Sequence, residues 1–188
     1  DDEKVSRYGT LLTYLIDMGR ADDAQALLDE PGQVGAKTIV AGLRALSLGA
    51  PWSRSTFDAL LERAPEPAAM GELSLPFIIF HEPNDEALVY AVSGVIARWG
   101  VQVTLPYGQS LLTAVAKTGS DAAIATVLDA GATANEASFE ALLESTSLTP
   151  DVLLPLQSVM MGAMGRPLRN GLLQIRWIFF DEFNKSGQ

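Results

Sequence analysis

The stretch Tyr107-Gly108-Gln109-Ser110-Leu111-Leu112-Thr113-Ala114-Val115-Ala116, followed by Gly119, decides how the rest of this chain is read. Ser110 is a residue type whose hydroxyl accepts a hydrogen bond from backbone N–H groups at a helix start. Behind it, Leu112, Val115 and Ala116 recur at helical spacing and supply one apolar face. Gly119 then offers the left-handed residue that commonly ends a helix. A second helix is expected over 121–129, with Ile124 and Val127-Leu128 buried, and Gly131-Ala132 closes it. The product is a helical hairpin.

The same unit occurs at an offset of 100 residues. Tyr8-Gly9-Thr10-Leu11-Leu12-Thr13 leads to Gly19, Ala24, Leu27-Leu28 and Pro31-Gly32. By the same reasoning Thr10 caps a helix that buries Leu12, Leu15 and Ile16, Gly19 stops it, and a second helix covers 21–29. A weaker echo at an offset of 82 pairs Gly49-Ala50 and Thr56-Phe57-Asp58-Ala59-Leu60-Leu61-Glu62 with Gly131-Ala132 and Ser138-Phe139-Glu140-Ala141-Leu142-Leu143-Glu144. Thr56 and Ser138 are the expected caps there, and Phe57 with Leu60-Leu61, or Phe139 with Leu142-Leu143, the buried stripe.

Elsewhere, Pro65 to Gly71 breaks the pattern, and Leu75-Pro76-Phe77-Ile78-Ile79-Phe80 reads as a short extended stretch or a buried linker. A long helix is expected over Asp85–Trp99, ending at Gly100, with 102–105 extended. The tail has helix potential over 152–164 and a final segment at 168–183. No linker is long or polar enough to divide the chain, so residues 1–188 are expected to form one all-α helical-repeat domain of stacked antiparallel hairpins with short extended segments. Residues 168–188 would be a capping or docking segment.

These residues resemble the ankyrin repeat, whose pattern runs Thr-Pro-Leu-His, small residues, Gly, an apolar pair and Gly-Ala. Ser110 to Ala116, Gly119, Ile124, Val127-Leu128, Gly131-Ala132 and Asn135 follow that order, and Thr10 to Gly32 follows it less closely. The offset of 100 is close to three periods of about 33 residues, leaving room for two further units. Leu11 and Leu111 stand where the family has Pro, and Thr13 and Thr113 where it has His. After Asn135 the next helix is expected at Ser138, which leaves no space for a finger-like hairpin there. The resemblance implies an ankyrin-like α-solenoid and a protein-binding scaffold. The residues themselves leave another helical repeat, or an irregular helical domain, open.

Composition narrows the function. Hydrophobic residues make up 48% of the chain and allow a sizeable core, whereas aromatics are only 7%. Against 13 Lys and Arg stand 23 Asp and Glu, a formal net charge of −10. That excess, greatest in the N-terminal half, argues against nucleic acid or an anionic membrane as the main partner and permits a basic protein. Cysteine is absent, which excludes disulfides and thiolate chemistry and leaves the compartment open. No apolar run reaches the length of a membrane span. Asp1-Asp2-Glu3-Lys4 reads as a cut in a longer protein or a processed terminus.

The candidate binding residues are the exposed-looking acids Asp22, Asp23, Asp29 and Glu30, together with Trp52, Trp99 and Trp177. The acids also suit a solvated face, and Trp52 and Trp99, near helix-ending glycines, suit inter-repeat seams. The aromatic run within 172–183, which holds Trp177, Phe179 and Phe180, suits either an end cap for the stack or a docking site for another domain or subunit. His81, beside Glu82 and Asp85, is read as a structural or surface histidine more readily than an acid–base or metal residue. Lys117-Thr118-Gly119 matches one β-lactamase signature, but the Ser-x-x-Lys element it needs is missing. No catalytic residue, metal site or cofactor is assigned.

The expected function is therefore non-catalytic recognition of a protein partner with basic character. Three alternatives stay open: an immunity or inhibitor protein that blocks an enzyme, a helical enzyme domain using dispersed carboxylates and His81, and a structural segment of a larger multidomain protein. The Ala- and Gly-rich composition points to a bacterial source, with the cytoplasm, or the host cytosol for a secreted effector, as the compartment.

Overall fold

A computed structural model describes residues 2–32, 34–67, 85–105 and 108–144. These residues form eight helices and no strand: α1 (Asp2–Asp17), α2 (Ala21–Leu28), α3 (Ala36–Ser47), α4 (Ser53–Arg63), α5 (Asp85–Trp99), α6 (Leu111–Ala116), α7 (Asp121–Asp129) and α8 (Glu136–Glu144). The all-α expectation holds for them, and α5 has the bounds that the sequence predicts. The expectations for Leu75–Phe80, for the helix at 152–164 and for the segment at 168–188 lie outside the described residues.

The turns between helices follow from glycine. Gly19 and Gly49 have φ of 68° and 70°, and Gly131 has 88°. At Gly19 the helix ends with two crossed bonds: the Arg20 N–H donates to Leu15 O at 2.9 Å and the Gly19 N–H to Ile16 O at 3.0 Å. That paired geometry satisfies the last carbonyls and reverses the chain. The same two bonds recur at Gly49 and at Gly131. Gly119 (φ 71°) ends α6 differently. Here the Thr118 hydroxyl stands between the two ends of the longer bond, accepting from the Ser120 N–H at 3.2 Å and donating to Val115 O at 2.7 Å. Met18, at the matching place in the first unit, has no hydroxyl to do this.

Helix starts correct the sequence reading in three places. Thr10 is no cap, because α1 begins eight residues earlier, at Asp2, and runs through it. Ser110 is one: its Oγ accepts from the Thr113 N–H at 3.1 Å. The difference lies two residues upstream, where the second unit has Gly108 with φ 71° and the first has Tyr8, which continues a helix. Thr56 sits inside α4, buried, with Trp52 at the N-cap position. At α8 the cap is Asn135 and not Ser138. Asn135 Oδ1 accepts from the Ser138 N–H at 2.9 Å, while the Ser138 hydroxyl accepts from the Asn135 N–H at 2.6 Å. The two residues satisfy each other's orphan donors as in a capping box. Ser120, which the sequence reading passed over, caps α7 by accepting from the Ala123 N–H at 3.3 Å.

Helices pack first on first and second on second. α1 lies on α3 and α2 on α4, while within pairs α1 meets α2 and α3 meets α4. The arrangement repeats further on: α5 packs on α7, α6 on α8, and α6 meets α7. Between α1 and α3, Thr13 donates to Gly9 O at 2.7 Å, and the Thr38 hydroxyl lies 3.0 Å from Thr13 Oγ1 and 3.3 Å from Gly9 O. Two buried clusters result. One joins Leu12, Leu15 and Ile16 with Ile39, Phe57 and Leu60, and the other joins Leu112, Val115 and Ile124 with Val127, Leu128 and Leu142.

Helix α5 belongs to both clusters. Its Ala87 and Ala91 are buried in the first, and its Leu88, Val92 and Val95 in the second. This explains its sequence, which is apolar nearly all round as buried helices are. It is clasped to α4 by an outer set of contacts. Tyr90 donates its hydroxyl proton to Asp58 Oδ2 at 2.7 Å, Arg54 pairs with Glu86, and the Arg54 guanidinium lies 5.0 Å from the centre of the Tyr90 ring. Burial, reinforced by the Asp58 hydrogen bond and charge, holds the Tyr90 phenol above its ordinary pKa.

Candidate functional site

The four acids singled out from sequence all lie on or beside α2, and all four are exposed. They do not form one cluster. Asp22 and Asp23 occupy the first turn, where the free N–H groups of a helix favour negative charge. Asp29 is the C-cap and Glu30 follows it. Seven residues of helix separate the pairs by about 10 Å, beyond the screening distance of roughly 8 Å at physiological salt.

Their local partners differ. Asp23 pairs with Arg20 at 2.5 Å, and Asp29 accepts from Gln25 Nε2 at 3.2 Å. Glu30 is held through its backbone: its carbonyl accepts from Arg63 Nη1, and Tyr8 donates its hydroxyl to Leu27 O at 3.0 Å beside it. The Glu30 carboxylate takes no part in those bonds. The C-terminal end of α2 is thereby tied to α1 and α4 by Tyr8 and Arg63.

The tryptophans serve separate places. Trp52, half-buried at the start of α4, packs on the first cluster. Trp99 ends α5 and packs on both clusters. Arg98 lies 5.9 Å from the Trp99 ring centre and donates to Leu61 O and Glu62 O at 3.3 Å each, satisfying the end of α4. A recess of about 620 Å³ opens there, between Pro65 and Pro67 on one side and Arg98, Trp99, Val103 and Thr104 on the other. Trp177 and His81 lie outside the described residues.

One surface escaped the sequence reading. Leu11 and Tyr14 on α1, and Met18 just past its end, are 49%, 55% and 60% exposed, and they recur at helical spacing as a single apolar stripe. At 3.6 residues per turn the stripe lies roughly half a turn from Gly9 and Thr13, the side that bonds to α3. It therefore faces away from the stack. Leu48, the residue before Gly49, is also exposed. The signal was available in the repeat itself: Tyr14 and Asp23 replace Ala114 and Ala123 of the second unit, large or charged side chains where a buried neighbour demands small ones.

Among the described residues no helix is long and apolar enough to cross a membrane. Comparison of the chain with protein-family models, with curated proteins and with solved structures gives no match.

Proposed function

We propose that this chain is a protein-recognition module of ankyrin-like construction, and that its first helical unit binds a partner of basic character. Support for the stack comes from the alternation of contacts, first helix on first and second on second, and from the glycine turns common to its units. At the approach to α6, Thr104 and Ser110 form an antiparallel bridge, and the Leu105 N–H donates to Gln109 O at 2.8 Å. An antiparallel bridge at that place suits the finger of an ankyrin-like unit.

The observation that carries the binding reading is the outer surface of the first unit. Exposed carboxylates stand at both ends of α2, next to a helix, α1, with large apolar side chains in solvent. Scattered surface apolar side chains are ordinary, but three on one stripe, Leu11, Tyr14 and Met18, beside a charged helix are the composition of a contact face. Negative patches of this kind attract Lys and Arg side chains at close range.

Affinity capture from the native lysate tests this reading, with the wild type compared against a variant reversed at Asp22, Asp23, Asp29 and Glu30 to Lys. The wild type is expected to retain a basic protein at low ionic strength, and the reversed variant to lose most of it. Equal recovery by both would remove the acidic surface from the account.

A further inference from the structure

We draw no further inference here: the strongest candidate, the recess between Pro65 and Pro67 after α4 and Arg98 and Trp99 at the end of α5, is bordered by exposed charges of opposite sign, Glu66 and Arg98, of which Arg98 is already bonded to Leu61 O and Glu62 O, so nothing in the structure shows what would fill it.

Discussion

Tyr90 shows how a single side chain joins two helices and carries a pH signature. Its hydroxyl reaches Asp58, its ring receives Arg54, and burial is the main cause of its raised pKa. The raised value means that the folded chain favours the neutral phenol. That stabilisation is complete below the ordinary tyrosine pKa of about 10, and it is lost as pH rises through the folded value. Tyr90→Phe should cost about 0.5–1.5 kcal/mol at neutral pH and should show a shallower loss of stability in the alkaline range. Urea titrations from neutrality into the alkaline range would check this; parallel curves for wild type and variant would show that Tyr90 is not the group responsible. None of this was legible in the sequence, where Tyr90 is one apolar position of a long helix. Asp58 is 32 residues away, and only the packing of α4 on α5 brings the two together.

At the scale of the element, helix ends were the most readable feature and also the one most often misplaced by a few residues. Gly19, Gly49, Gly119 and Gly131 stop helices as expected, because a left-handed turn residue is a local requirement. The starts depend on what precedes them. Thr10 and Ser110 occupy one repeat position, yet only Ser110 caps, since Gly108 turns the chain before it and Tyr8 does not. Thr118 adds a variation that the repeat pattern hides. Its hydroxyl links Ser120 N–H to Val115 O in place of a direct backbone bond. Thr118→Ala is expected to destabilise the chain by about 1 kcal/mol, and Thr118→Ser to restore most of it. Chemical denaturation midpoints give the answer. A neutral Thr118→Ala would mean that the direct bond seen at the other turns forms here as readily.

Over the molecule as a whole, α5 is the connecting piece. Leu88, Val92 and Val95 sit in one cluster and Ala87 and Ala91 in the other, with Trp99 against both. A cavity made at Leu88 should therefore be felt on both sides. Leu88→Ala is expected to cost about 2–5 kcal/mol, and to accelerate hydrogen exchange in α4 as well as in α7. Faster exchange confined to α7 would mean that the clusters open independently. The charges behave differently at this scale. The acids of α2, adjacent in sequence as two pairs, are divided between its ends, so they act as two local patches and not as one field source.

Apart from α3 with its buried Ile39, Leu43 and Leu46, which the sequence reading passed over, the sequence by itself determined the helical character of the described chain, the two helix–glycine–helix units, the bounds of α5 and core residues such as Leu12, Leu15, Ile16, Phe57, Leu60, Leu112, Val115, Ile124, Val127 and Leu128. Each of these rests on short-range rules: a period of 3.6, a capping hydroxyl, a glycine at positive φ. The tertiary structure decided which faces are covered. Leu11 and Leu111 are the same residue at the same step of the same unit, and one is 49% exposed while the other is fully buried. No local rule separates them. Exposure is a property of the neighbours that packing brings: Leu111 is enclosed in the cluster that α5, α6, α7 and α8 share, whereas Leu11 lies outside the cluster of the first unit.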